Sequence, residues 1–214
     1  MSAPPPPKKA RRTPRRVVDE ADILDWLPDH HGLGPVAVVL PDRAEVGMSV
    51  TEWHDWFRRC ALACARTADG PVVFHQTDRM TDGIWVDKAD LVTDSLAFVR
   101  SLLWHKIVLR RDPGKNDLHR PTYSHLLAYG PPGRPGKRRP DVIHAGPYLW
   151  RNGIGLDAAR FVVDYLAEQG ASAIVNPCCG EGTLLVAANQ AGLDAYGCDT
   201  DPDRVAAART RDTV

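Results

Sequence analysis

Apolar residues in this chain fall into short blocks of two kinds, and the two kinds alternate. One kind is a continuous β-branched run, as in PVAVVLPD (35–42), PVVFHQTD (71–78) and ASAIVNP (171–177). Such runs are the mark of strands buried on both faces. The other kind repeats at helical spacing. In MSVTEWHDWFRRCALACARTADG (48–70), Trp53, Trp56, Phe57, Cys60, Ala61 and Cys64 share one face, Ser49 and Thr51 offer N-caps, and Asp69-Gly70 stops the run. Further helices are expected over 89–101, 156–170, 183–192 and 201–209, the last with Pro202 in its first turn. Further strands are expected over 102–109, 125–130 and 194–199. Residues 17–34 mix acidic and apolar positions and predict one short helix ending before Pro28. A loop rich in Pro, Gly and cations covers 130–140.

Strands alternating with helices predict an α/β fold, Rossmann-like and doubly wound: a mostly parallel sheet with helices on both faces. Ligands of such sheets sit beyond the carboxyl ends of the strands, so the polar residues that close each strand are the candidate site. The length of 214 residues and the 43% apolar content suit one domain with an appendage. The expected division is a disordered, basic, Pro-rich tail over 1–16 and a single domain over 17–214, with a catalytic-strand half at 35–130 and a cofactor half at 150–214.

Charge and cysteine usage refine the picture. The 27 cations balance the 27 anions, yet residues 1–16 hold six cations (Lys8, Lys9, Arg11, Arg12, Arg15, Arg16) and no anion, so the body is acidic. The tail reads equally well as an arm for an anionic polymer and as a solvated terminus. An acidic body disfavours broad, non-specific nucleic-acid binding, so any polyanion contact is local. No apolar run approaches the roughly 18 residues needed to cross a bilayer, and Pro4–Pro7 stand where a signal peptide would be apolar. Five cysteines in no regular framework suit a reducing compartment, so a cytoplasmic protein without a membrane partner is expected. Cys60 and Cys64, four apart on one helix face, are expected to pack rather than hold a metal, and no metal site is expected elsewhere.

The chemistry is concentrated in AIVNPCCGEGTLLVAANQAGLDAYGCDTDP (173–202). An apolar strand runs into Cys179-Gly180-Glu181-Gly182-Thr183 and straight into a helix, and a second strand ends at Asp199. Gly180 permits a sharp turn and a close approach of backbone to ligand, Gly182 permits tight packing of the helix, and a carboxylate one strand over can accept both hydroxyls of a ribose. A nucleoside cofactor is implied. The third glycine of the dinucleotide fingerprint is absent, because Leu185 stands there, and no Gly-Lys-Ser/Thr follows to make a P-loop.

NPCCGEGT resembles the D-P-F-x-G-x-G-T cofactor motif of the permuted class I amino-methyltransferases that act on nucleic acids, with Asn176 in place of Asp and Cys178 in place of Phe. YGCDTDPDRVAAAR is similar to the family's second strand. The resemblance covers about 35–210 and implies a circularly permuted class I methyltransferase that uses S-adenosylmethionine. It places the cofactor against Asn176, Pro177, Cys178, Gly180, Gly182, Thr183, Asp199 and Thr200, with Asn152 and Gly153 leading into the enclosing helix. The usual edge strand after the last helix is missing from the sequence pattern. The family's catalytic strand ends Asp/Asn/Ser-Pro-Pro-Tyr/Phe, and here it ends Leu40-Pro41-Asp42, which implies Pro41 and Asp42 as the catalytic pair, with stacking supplied by Trp85, Trp104 or Trp150.

Polar groups on other strands, His75, Gln76, His105 and Lys106, are expected substrate contacts, and the resemblance of LLWHKIVLRRDPGKNDLHRPTYSHLLAYG to the family segment in which W-x-K is followed by an Arg and a Tyr implies Arg120 beside them. With Arg110, Arg111, Lys115, Arg134, Lys137, Arg138 and Arg139 the loops form a cationic patch. Cys178 and Cys179 lie in the cofactor loop rather than at the acceptor strand, which disfavours methylation of carbon. Short loops leave little room for a DNA-recognition insert, so RNA is favoured over DNA as the nucleic-acid partner. The alternatives are a methyltransferase for small molecules or proteins, and a non-catalytic S-adenosylmethionine-binding partner protein. The oligomeric state is left open.

Overall fold

A computed structural model describes residues 12–112, 114, 121–131 and 137–212. In chain order the elements are β1 (Arg16–Glu20), α1 (Ile23–Trp26) with a 3-10 turn (Leu27–His30), β2 (Val36–Val38), α2 (Arg43–Val46), α3 (Val50–Thr67), β3 (Val72–Gln76), β4 (Arg79–Thr81), β5 (Ile84–Val86), α4 (Lys88–Leu96), β6 (Ser101–Leu109), β7 (Tyr123–Gly130), β8 (Val142–His144), α5 (Leu156–Glu168), β9 (Ala173–Pro177), α6 (Thr183–Gln190), β10 (Asp194–Asp199) and α7 (Pro202–Thr210).

Eight strands form one sheet in the order β1-β10-β9-β2-β3-β7-β6-β8, and β4 pairs only with β5. Pairing is parallel from β1 through β3 and antiparallel on both sides of β7. The continuous apolar runs are central strands, as expected of residues covered on both faces. One face carries α5, α6 and α7 through Phe161, Leu166, Leu184, Leu185 and Val205. The other carries α1, α3 and α4 through Trp26, Phe57, Cys60, Cys64 and Leu96. The doubly wound α/β expectation therefore holds.

The stripe expected in α3 is buried as a unit, and Ser49 caps it: its hydroxyl accepts from the Glu52 N–H at 3.4 Å while the Glu52 carboxylate accepts from the Ser49 N–H at 3.0 Å. Cys60 and Cys64 lie within this packed face. Among the described residues no helix is long and apolar enough to cross a membrane.

The amino end departs from expectation. Residues 17–34 hold a strand before the short helix, and that strand is the edge strand missing after α7: β1 runs parallel to β10 with Val18 opposite Gly197. The Asp-Glu pair after Val17-Val18 hides its apolar alternation, and its partner lies almost the whole chain away. The tail boundary at residue 16 also moves. Arg16 begins β1, Arg12 pairs with Asp194, and the Arg15 N–H donates to Asp194 at 2.7 Å. Lys8, Lys9 and Arg11 lie outside the described residues.

Arg16 ties this edge to the far end of the chain, donating to Asn189 Oδ1 at 2.7 Å, the Arg211 carbonyl at 2.5 Å and the Ala208 carbonyl at 3.2 Å. Hydrogen bonds from a charged donor contribute about 1.5–3 kcal/mol each at most, less when part-exposed. Arg16→Ala is expected to lower stability by about 1–3 kcal/mol, read as a fall in the urea midpoint at unchanged slope. An unchanged midpoint would show that these bonds merely decorate the surface.

Candidate functional site

The carboxyl ends of β9, β10 and β2 open on a cleft of about 340 Å³, within the size range of small-molecule sites. Its floor is the turn after β9. Cys178, at φ 55°, enters the left-handed region that non-glycine residues rarely adopt, a strain of about 1–3 kcal/mol. Gly180, at φ 55°, turns the chain again, and Gly182 opens α6. A Cβ on Gly182 would press on Ala208, so the close approach this glycine permits is to α7. Trp150 lies directly over Gly180, and the Arg204 guanidinium stands 5.5 Å from its ring centre.

Asp199, only 7% exposed, reaches across from β10. Its Oδ2 accepts from the Gly180 N–H at 2.9 Å and its Oδ1 from the Asp201 N–H at 3.1 Å. A carboxylate offers about four lone-pair sites, so two oxygens already holding the turn can each accept one more donor. Thr183 Oγ1 is buried against the same cleft and finds no hydrogen-bond partner among the described residues. Asn176 also lines it, while its Nδ2 donates to the Ala37 carbonyl at 2.7 Å and pins β9 to β2.

The structure thus brings Asn152, Gly153, Asn176, Cys178, Gly180, Thr183, Asp199, Thr200 and Pro41 to one cavity. Pro177 and Gly182 stand behind its wall as backbone that shapes the turn. The sequence reading misses Ala21, Asp22 and Ile23, which close the end beside Asp199, and Glu45, Val46, Met48 and Trp56, which close the side beside Pro41. The signal for the first group is β1 itself, and Trp56 reads from its spacing as core alone.

Asp42 is the main correction. It lies in a neighbouring cleft with Trp53, Arg79 and Val86, where its oxygens accept from Lys88 Nζ at 2.5 Å and Arg79 Nη1 at 2.6 Å. Its backbone starts α2, and Glu45 returns the cap by accepting from the Asp42 N–H at 3.2 Å. The β4–β5 hairpin, which supplies Arg79, is absent from the sequence expectations. It is clamped again by Arg43 on Asp82 at 2.9 Å, and its Trp85 is exposed outside the main cleft.

The expected substrate contacts are not brought to the cleft. His75 is buried against Ser124 Oγ at 2.7 Å, and burial, with the cations Arg110 and Lys88, pushes its pKa down to about 3, so it is neutral. Gln76 is fully buried. His105 bonds His125 at 2.9 Å, which bonds Asp78 at 3.0 Å. Lys106 pairs with Asp141 at 3.0 Å. His75 and Gln76 close β3 and His105 and Lys106 lie within β6, and none of the four lines the cavity. Trp104 packs edge-on against Tyr165, 4.9 Å between ring centres. In the cationic patch, Lys137 and Arg139 pair with Glu168 at 3.2 and 2.9 Å. Lys115, Arg120 and Arg134 lie outside the described residues.

No sequence model of a known family matches the chain, and no curated protein does. Solved structures do. TTHA0409, a candidate DNA modification methylase of Thermus thermophilus, superposes with TM-score 0.71 at 17% identity, over 91% of this chain and 92% of that one. The cytosine-N4-specific PvuII DNA methyltransferase gives TM-score 0.76 at 13% identity, over 94% of this chain and 88% of that one. M1.HpyAVI, solved with S-adenosylmethionine, gives 0.65 at 12% identity, over 91% and 97%. The fold is therefore that of class I methyltransferases. Its particular form is the permuted one, in which β2 precedes the glycine-turn strand β9 in the chain.

The Asp42 ion pairs carry a pH signature. Burial alone would raise this carboxyl, but Lys88 and Arg79 more than reverse that and hold it below the ordinary value. A depressed native pKa stabilises the fold above the unfolded value of about 3.9 and ceases to do so as pH falls through the native one. Asp42→Asn is expected to cost about 1–3 kcal/mol at neutral pH, and the gap from wild type should close as urea melts are taken towards about pH 2. A gap independent of pH would contradict the assignment.

Proposed function

We propose that this protein is an S-adenosylmethionine-dependent methyltransferase that acts on nucleic acid. The observation that carries the reading is the single cavity shared by a buried carboxylate on β10, the glycine turn after β9 and the end of β2. The residues present fit the cofactor. Asp199 has acceptor capacity left for two ribose hydroxyls, and Thr183 has an unpaired hydroxyl facing the same space. Asp22, at the end of β1, can accept from an adenine amine. When bound, the cofactor supplies a methyl group on an already activated sulfonium.

The protein's own task is then alignment, and holding two reactants in line can lower a barrier by about 7–11 kcal/mol. Pro41, Glu45, Val46 and Met48 wall the side from which an acceptor must approach. Carbon methylation, which usually needs a thiolate, is disfavoured because burial pushes the Cys178 and Cys179 thiols well up from their ordinary range. An exocyclic amine is the acceptor this cavity suits.

The short loops argue for RNA, but the solved proteins that share the fold are named for DNA, so DNA is the first polymer to test and RNA the second. Calorimetry should show S-adenosylmethionine binding that Asp199→Ala weakens by about 100-fold, the worth of two charge-assisted hydrogen bonds. Labelled cofactor should transfer its methyl to genomic DNA or total RNA. Heat of binding without label in either polymer would favour a binding-only protein, and no heat at millimolar cofactor (about 4 kcal/mol of affinity) would end the reading.

A further inference from the structure

Resting on that reading, we propose that Glu45, not Asp42, is the carboxylate that receives the acceptor amine. Among the described residues lining the acceptor side of the cavity (Val39, Pro41, Glu45, Val46, Met48, Trp56), Glu45 is the one with an ionisable side chain. Asp42 points into the neighbouring cleft and is committed to two cations there. Glu45 is exposed and loosely held. Its Oε1 accepts from the Asp42 N–H and its Oε2 from Asn152 Nδ2, both at 3.2 Å, the long end of the hydrogen-bond range.

The second of these bonds spans the cleft. It joins α2, on the acceptor side, to the loop that leads into α5, on the cofactor side. An amine entering between them can take the Glu45 oxygen from Asn152 without breaking the helix cap made by the other oxygen. The capping-box spacing explains why one residue can do both: three positions after Asp42 the side chain folds back over the start of α2, beside Pro41.

The carboxylate suits the chemistry because charge moves during the reaction. The nitrogen lone pair forms the new N–C bond as the S–C bond breaks and its electron pair returns to sulfur, so positive charge leaves the sulfonium and develops on nitrogen. A carboxylate beside the nitrogen favours the transition state over the ground state. The surplus proton of the methylated ammonium passes to Glu45 and from there to water.

The test compares Glu45→Gln with Asp42→Asn in full-length protein, using tritiated S-adenosylmethionine with genomic DNA and total RNA. Glutamine keeps one acceptor oxygen for the helix cap and turns its amide N–H towards Asn152, which meets it by presenting Oδ1 in place of Nδ2. Glu45→Gln is expected to lower the transfer rate by about 100-fold or more while leaving cofactor affinity and melting temperature as in wild type. Asp42→Asn should lower the melting temperature more than the rate per folded molecule. Undiminished transfer by Glu45→Gln overturns the inference and leaves the methyltransferase reading standing. Loss of cofactor binding in step with rate also overturns it, by showing a structural role. A wild type that binds cofactor but labels neither polymer removes both.

Discussion

A buried carboxylate reaching from one strand to the backbone of its neighbour is the contact on which this site depends. Asp199 is nearly inaccessible and bonded to the Gly180 N–H at 2.9 Å. A buried carboxylate is costly unless hydrogen-bonded, and here the bonds come from the turn that must be kept open. One side chain thus stabilises the floor of the cleft and presents its remaining lone pairs to whatever enters. The parallel register makes this possible, since Cys198 lies opposite Pro177 and both strands end at the same edge.

The side of the cleft beside Pro41 is built on a different principle. Among the described residues no buried carboxylate lines the cavity there. Instead Asp42 gathers Lys88 and Arg79 and so fastens the loop after β2 to α4 and to the β4–β5 hairpin. The pair Arg43–Asp82 repeats the fastening from the other direction. A short strand, β2, that ends after three residues thereby continues into a loop as well fixed as a strand. Asn176 adds a bolt from behind through the Ala37 carbonyl.

Much of this is legible in the chain. Continuous apolar runs mark the central strands, and the stripe from Trp53 to Cys64 marks α3, because burial on two faces or on one leaves its period in the residues. The glycine turn and Asp199 are legible because backbone geometry demands those residue types. What stays hidden depends on partners remote in sequence. β1 carries Asp19 and Glu20, which suggest helix, and only its pairing with β10 makes it a strand. Proximity in sequence also misleads: Asp42 follows Pro41 directly, yet one residue's turn aims its side chain into another cleft, while Glu45, three positions on, faces the cavity. His75, Gln76, His105 and Lys106 resemble a surface of contact in the sequence, but His75 and Gln76 close β3 with their side chains buried, and His105 and Lys106 are held within β6 by His125 and Asp141.

The two extremities of the described chain are stitched together, with Arg16 donating to the carbonyl of Arg211. Where a chain is cut and where its sheet is closed are then separate matters. A short peptide joining the residues beyond Arg211 to those before Arg12, with new ends opened in an outer loop, would leave every strand beside its present neighbours. The order of elements along such a chain is then separable from their order in space, and the cleft would be assembled from the same edge whichever starting point were chosen.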